Sequence, residues 1–409
     1  MSRPKDHHPH REHGVAVAAE ALRRERAGKP RGLRRRIVLL LLLVSMLLIA
    51  YPVWRFTRAH LQSIVVLKLL SGEKPSPLLS ALATEPITET ELTLQTSAGP
   101  VRARLYTPVR HPQAAGMVVF HGVHHLGMNE PRLMAFARAT ASCGIRVLTP
   151  ELPEIADYRV GERSIDTIGA STVWFAQQTH APVGVLGLSF SGGLALVAAA
   201  NDRYRPSMKF VFAVGSQDSM GRVAAYYRTN EETRPDGTRE LLPAHEYGPL
   251  VLEYEHVDEF VPAQDVDAIR AVLRAHLYEE PESEKAAMDK LTAAQKLEAA
   301  ELMNARSEKT RALLQTSEEK YADAMKRVSP EQSLKKLTVP VYLLHGEADN
   351  IIPAAETLWM ASELRKTSLR AALVSPVLSH LDMQQSPGAW EQWRLIHFMA
   401  LVLNDAEKK

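Results

Sequence analysis

The hydrophobic positions of the chain fall into three patterns along its length. Residues 37–54 read IVLLLLLVSMLLIAYPVW, an almost unbroken apolar run. From residue 89 onward, short apolar or alternating segments take turns with amphipathic helical segments. Residues 217–337 break that alternation, because they are rich in the strong helix formers Ala, Glu, Lys and Leu. The patterns therefore predict an apolar segment followed by an α/β region with a helical insertion.

The α/β region predicts one domain built on a mostly parallel sheet. Its first two strands, ETELTLQT and VRARLYTP, alternate apolar and polar residues around Ala98-Gly99-Pro100, which predicts a β-hairpin. Later strands such as GMVVF and VGVLGL are apolar throughout and alternate with helices, a pattern typical of parallel sheets covered on both faces. We therefore expect residues 89–409 to form a doubly wound α/β domain, with a strand-free helical cap at about residues 217–337.

The first part of the chain predicts a membrane anchor. Residues 1–36 contain 11 Lys+Arg against 4 Asp+Glu, whereas the remainder contains 38 against 43. We predict a basic, disordered tail over 1–36, one transmembrane helix over 37–54, and a helix and connector over 55–88. The basic flank before the apolar run places the N-terminus in the cytoplasm and the bulk of the chain across the membrane. A cleaved signal peptide and a buried helix of a soluble protein are the competing interpretations.

Composition narrows the function classes further. The single cysteine, Cys143, excludes an intramolecular disulfide and a Cys-rich zinc module. The basic surplus belongs to the tail that precedes the apolar run, so we expect a membrane partner through 37–54 and no nucleic acid. No metal or organic cofactor is expected, and the oligomeric state stays open.

A candidate nucleophile lies in the segment GLSFSGG. Ser189 follows an apolar strand, precedes an Ala/Leu-rich helix, and has the small residues Gly187 and Ser191 two positions to either side. A nucleophile at a sharp strand–turn–helix corner needs small residues at those two positions, since larger side chains would clash there. A helix N-cap serine or a phosphate-binding glycine loop would give the same short pattern. Ser191 remains a rival nucleophile.

Other strand ends supply the groups that such a nucleophile needs. His121-Gly122 ends one strand, so the backbone N–H groups of Val123 and Phe190 are the predicted oxyanion hole. His124 and His125 follow in the same loop and are weaker candidates for substrate contact. In LLHGEADNIIP and LSHLD, Asp349 is the candidate orienting acid and His380 the candidate base, with Asp218 and His397 as their respective rivals.

The order Ser189, Asp349, His380 resembles that of the α/β-hydrolase superfamily. The resemblance covers residues 89–405 apart from the insertion, which lies where the family commonly carries a cap. It implies a membrane-anchored serine hydrolase that cleaves a carboxylic ester, or a related acyl bond, of a small-molecule or lipid-like substrate through an acyl-enzyme. An acyltransferase acting on an envelope acceptor, a peptidase or a thioesterase are the alternatives, and a non-catalytic membrane-tethered binding protein is the remaining one. Ser191 departs from the usual second glycine of the motif.

Overall fold

The structure is a computed structural model that describes residues 31–378 and 388–408, with side chains from residue 35 onward. The chain divides into two compact units, residues 1–57 and 58–409. The second unit contains the sheet and the candidate site.

The second unit is organised around one eight-stranded sheet with the order β1-β2-β4-β3-β5-β6-β9-β10. β1 and β2 form the predicted hairpin, and β2 also pairs antiparallel with β4. The remaining neighbours pair in parallel, so the mostly parallel sheet predicted from the apolar strands is confirmed. The strands of this sheet are β1 (Ile87–Thr96), β2 (Gly99–Pro108), β3 (Gly116–Phe120), β4 (Arg146–Pro150), β5 (Val183–Leu188), β6 (Met208–Val214), β9 (Val341–Gly346) and β10 (Leu369–Ser375).

Helices cover both faces of the sheet. α3 (Pro131–Ser142) and α16 (Ala389–Glu407) pack on one face, where Val66 joins the same apolar cluster. α5 (Glu162–Thr179), α6 (Phe190–Ala200) and α15 (Ala355–Glu363) contribute to the apolar cluster of the other face. The two short helices α2 (Pro77–Ala83) and α4 (Pro153–Ala156) lie in connecting segments.

The insertion is a helical cap that shares the core of the second sheet face. Its helices are α7 (Met220–Thr229), α8 (Tyr247–Glu255), α9 (Val257–Phe260), α10 (Val266–Leu277), α11 (Pro281–Asp289), α12 (Ala293–Leu302), α13 (Glu308–Lys320) and α14 (Ala322–Arg327). Val223, Leu250 and Ile269 of the cap are buried in the same cluster as Phe175 and Leu194 of the sheet-covering helices. Because one apolar cluster joins cap and sheet, the cap is part of the domain's core.

The expectation of a strand-free cap is wrong at one place. β7 (Glu231–Thr233) and β8 (Arg239–Leu241) form a two-stranded antiparallel hairpin, with Gly237 of the turn at φ +85°. Strands of three residues are too short to show an alternating pattern. The Asp236-Gly237 pair, which favours hairpin turns, is the signal that indicates this hairpin.

A single long helix replaces the two helical segments predicted before the sheet. α1 runs from Arg31 to Leu70 and includes Pro52, so neither the predicted tail boundary at residue 36 nor the break after Trp54 is observed. A proline removes one helical hydrogen bond, and a long apolar helix can continue past it. Residues 35–70 are long and apolar enough to cross a membrane, which is consistent with a single-pass anchor or a signal sequence.

Candidate active site

Ser189 has a strained backbone at the junction of β5 and α6. Its φ of 54° and ψ of −133° lie in a region that residues with a side chain rarely occupy. The Ser189 N–H donates to the carbonyl oxygen of Val214 on β6 at 2.8 Å, which holds the corner against the sheet. Phe190 is the first residue of α6, so its N–H has no acceptor within that helix. The corner therefore has the backbone geometry predicted for a nucleophile.

Glycines make this corner possible because neighbouring backbone comes very close. A Cβ on Gly187 would lie 2.5 Å from the Cα and N atoms of Gly192. A Cβ on Gly192 would lie 2.0 Å from Oγ of Ser216 and 2.8 Å from the carbonyl oxygen of Gly187. No side-chain rotation relieves a clash with backbone, so the start of α6 can approach β5 only when both positions are glycine.

Ser191, the rival nucleophile, is fully buried and hydrogen-bonded. Its Oγ donates to the carbonyl oxygen of His121 at 2.5 Å. A glycine at this position would leave that carbonyl without the hydroxyl donor. Ser191 thus connects the first turn of α6 to the end of β3, which explains why a serine occupies the usual glycine position.

The loop after β3 runs beside Ser189 and is held by the imidazole of His121. A Cβ on Gly122 would lie 3.2 Å from Cβ of Ser189. The N–H of Leu152 donates to Nε2 of His121 at 2.9 Å, so the ring proton lies on Nδ1, which donates to the carbonyl oxygen of Gly122 at 2.9 Å. Burial lowers the pKa of His121 and keeps the ring neutral. Since the N–H of a trans peptide points opposite to its C=O, this bond fixes the direction of the Val123 N–H.

The cap contacts the same loop through aromatic side chains. Oη of Tyr247, on α8, donates to the carbonyl oxygen of Val123 at 2.9 Å, and burial raises the pKa of this phenol well above its usual value. The predicted substrate contacts His124 and His125 stack on each other at 4.7 Å between ring centroids. His125 also stacks on Tyr278 at 4.5 Å. Tyr247 was not among the predicted site residues, because no local pattern links it to a loop 124 residues earlier.

Asp349 is buried in the loop after β9 and does not cap α15. Its Oδ1 accepts hydrogen bonds from the N–H groups of Ile351 and Ile352 at 2.9 and 3.0 Å. Its Oδ2 lies 3.3 Å from Nε2 of His345, whose ring also contacts the carbonyl oxygen of Ile352 at 2.8 Å and Oγ1 of Thr357 at 2.7 Å. His345, like His121, is a buried imidazole that braces a loop. A His-Gly pair at the end of an apolar strand is the sequence signal for both.

The alternative acid, Asp218, belongs to a separate buried cluster. Its Oδ2 accepts from Nη2 of Arg222 at 2.6 Å, and its N–H donates to Glu356 at 2.9 Å. Burial, together with the neighbouring Glu356, raises the pKa of Asp218 to about 7. Arg222 also pairs with Glu356 at 2.9 Å and with Glu331 at 3.4 Å, so three carboxylates share its guanidinium.

The structure describes only one of the two candidate bases. His380 lies outside the described residues. His397, the rival, lies in α16 with Nδ1 3.0 Å from Nε2 of His60 and its ring stacked near that of Trp393. This contact places His397 against the last part of α1.

Residues 166–381, just over half of the chain, match the family model described as X-Pro dipeptidyl-peptidase (S15 family). The chain belongs to the S15 family. This family is part of the α/β-hydrolase clan, so the superfamily predicted from the four motifs is confirmed and the protein is a hydrolase. The matched residues include Ser189, the cap, Asp349 and His380, whereas the loop after β3 precedes them.

Solved structures of several hydrolases are similar to this S15-family chain. An esterase from the archaeon Pyrobaculum calidifontis is 17% identical, with 85% of this chain and 91% of that chain covered and a TM-score of 0.43. Est1E from Butyrivibrio proteoclasticus is 12% identical, with 78% and 99% covered and a TM-score of 0.44. An acylaminoacyl peptidase from Pyrococcus horikoshii is 14% identical, with 80% and 43% covered and a TM-score of 0.42. No curated protein sequence matches the chain.

The close approach at Gly187 yields a stability prediction. In Gly187→Ala the new Cβ meets the backbone of Gly192 at 2.5 Å, so α6 must move away from β5. We expect a loss of about 3 kcal/mol in the free energy of unfolding, the upper part of the usual range for overpacking. Thermal unfolding followed by circular dichroism measures it as a lower midpoint.

Gly221→Ala is the matched control. Gly221 lies in α7, and a Cβ there would have only Oγ of Ser219 within 4 Å, at 3.8 Å. Alanine is the better helix former, so this variant should unfold at the same temperature as the parent or above it. Equal midpoints for the two variants would contradict the steric argument.

Proposed function

We propose that this hydrolase cleaves carboxylic esters, or a related acyl bond, through an acyl-enzyme on Ser189. The observation that carries the proposal is the strained backbone of Ser189 between β5 and α6, with the Gly122 loop directly beside its side chain. The strained backbone of this buried serine costs stability. Attack on a carbonyl carbon explains why the strain is kept.

The proposed mechanism uses His380 as base and Asp349 as orienting acid. His380 takes the proton of Ser189 Oγ, and the oxygen bonds to the acyl carbon to give a tetrahedral oxyanion that the N–H groups of Val123 and Phe190 stabilise. Collapse breaks the bond to the leaving group, which receives the proton from His380. A water molecule, with His380 again as base, then attacks the acyl carbon in the same way and releases the acid and free Ser189.

Peptide-bond cleavage is the second candidate function. The S15 family description, X-Pro dipeptidyl-peptidase, favours it. Both reactions need the same nucleophile and oxyanion hole, but an amine leaves only when it is protonated, whereas an alkoxide leaves more readily. Ester cleavage therefore depends less on protonation of the leaving group by the site, and we place it first.

Labelling of the nucleophile tests the shared first step. We expect the full chain to react with a fluorophosphonate probe and to hydrolyse p-nitrophenyl acetate, and Ser189→Ala to abolish labelling and lower turnover by about 10⁴-fold or more. Ser191→Ala removes only the hydrogen bond to His121 and should still label. Labelling that survives in Ser189→Ala and disappears in Ser191→Ala would reverse the assignment. Glycyl-prolyl-p-nitroanilide in the same assay separates peptidase from esterase activity.

The two buried acids give a matched comparison. Asp349→Asn removes the charge that would hold the imidazole of His380 in its working tautomer, and we expect kcat to fall by about 10⁴-fold. Asp218→Asn replaces the carboxylate that Arg222 contacts, and kcat should stay within about threefold of the parent because Glu356 still pairs with Arg222. Ester turnover at pH 8 measures both. A large loss in Asp218→Asn with a small one in Asp349→Asn would identify Asp218 as the orienting acid.

We further propose that α1 anchors the enzyme with its catalytic domain outside the cytoplasm. The flank before the apolar run holds Lys29, Arg31 and residues 34–36, which are all arginine, against Arg55 and Arg58 after it. Positive charge is retained on the cytoplasmic side. This orientation would expose the active site to substrates at the non-cytoplasmic surface of the membrane.

A reporter fused after Lys409 tests that orientation. Alkaline phosphatase, which is active only after export, should be active in this position, and green fluorescent protein should not fluoresce there. Deleting residues 37–54 should abolish the phosphatase activity. Cytoplasmic fluorescence with an inactive phosphatase would contradict the proposed topology.

A further inference from the structure

An apolar cavity of about 300 Å³ lies on the sheet face that α3 and α16 cover. Leu188, Val214 and Leu344, at the carboxyl ends of β5, β6 and β9, form one wall. Phe136 of α3, Met399 of α16 and Leu70 of α1 contribute to the others. We call this space the apolar cavity.

Two residues that line the apolar cavity are direct neighbours of the candidate nucleophile. Leu188 directly precedes Ser189, and the carbonyl oxygen of Val214 accepts the hydrogen bond from the Ser189 N–H at 2.8 Å. Leu378, which also lines the cavity, is two residues before His380. Leu188 and Leu344 therefore lie on β5 and β9, the strands that precede Ser189 and the Asp349 loop.

The charged residues of the lining neutralise one another. Nε of Arg132 lies 2.8 Å from Oε1 of Glu130, and Oε2 of Glu130 accepts from the N–H of Leu133 at 2.7 Å as the N-cap of α3. The remaining described lining is apolar, so the interior favours hydrocarbon. Each methylene group moved from water into such a space contributes favourably to binding.

We propose that the apolar cavity holds the hydrocarbon chain of an acyl group whose carbonyl carbon lies at Ser189. This inference rests on the proposed function, since it names the acyl half of the same substrate. A volume of about 300 Å³ is at the small end of ligand sites, which favours one medium-length chain over the two chains of a phospholipid. The occupant is therefore a single-chain ester or related amphiphile.

The surroundings of the cavity are suited to a substrate drawn from a membrane surface. α16, which contributes Met399 to the lining, exposes 68% of Trp390 and 43% of Trp393. Tryptophan is enriched where proteins meet the membrane–water interface.

A chain-length comparison tests the cavity. With the full chain in lipid nanodiscs, we expect kcat/KM for p-nitrophenyl decanoate to exceed that for the acetate by at least about tenfold. Ala135 of α3 lines the cavity and is half-buried, so Ala135→Trp should fill it and abolish that preference. Met134, its half-buried neighbour outside the lining, provides the control Met134→Trp, which should keep the preference.

Photocrosslinking separates the cavity from the catalytic proposal. A dodecanoic acid with a diazirine near its methyl end should modify peptides containing Phe136 or Met399 in the Ser189→Ala chain, and Ala135→Trp should prevent this. Such crosslinks without ester turnover by the parent would support the cavity and overturn ester cleavage. Equal turnover of acetate and decanoate, with no crosslinks at these peptides, would overturn the cavity and leave ester cleavage intact. Decanoate presented in nanodiscs or as free monomer distinguishes a membrane source from a soluble one.

Discussion

The close contact between β5 and the first turn of α6 is the constraint on which the rest of the site depends. It holds Ser189 at φ 54° and ψ −133°, a conformation that costs about 1–3 kcal/mol when nothing compensates. The hydrogen bond from Ser189 to Val214 on the neighbouring strand and the bond from Ser191 to His121 oppose that cost. Both bonds go to the ends of parallel strands next to β5, so the two neighbouring strands at the centre of the sheet hold Ser189 in its strained conformation.

Buried imidazoles extend this rigidity to the two loops beside the corner. His121 and His345 each occupy the end of an apolar strand, and each ring uses both nitrogens on partners in or beside the loop that follows. A buried polar ring with both nitrogens satisfied resists displacement, because moving it leaves donors and acceptors unpaired. The cap adds Tyr247 on the first loop and Tyr226, whose Oη donates to the carbonyl oxygen of Asn350 at 3.1 Å, on the second.

Features that depend on local chemistry could be predicted from the sequence. Gly187 and Ser189 lie within three residues of each other at a strand end, and their pattern predicts the corner that the structure contains. Tyr247 could not be predicted, because its contact with the loop after β3 depends on how the cap folds back over a segment far away in sequence. The continuity of α1 past Trp54 was missed for a different reason: the apolar run ends there and Arg55 and Arg58 follow, but a helix does not have to end where its composition changes.

The family match covers one part of the candidate site and leaves another part outside it. Residues 166–381 hold the corner, the cap and the Asp349 loop. His121 and Gly122, which aim the proposed oxyanion donor, precede the match, and so does Phe136 of the apolar cavity. Nucleophile geometry tolerates little variation because it is set by backbone contacts of a few ångströms, whereas a cavity wall changes with single side chains. The proposed acyl-binding role of the apolar cavity would therefore assign part of the choice of substrate to residues outside the matched region, such as Phe136.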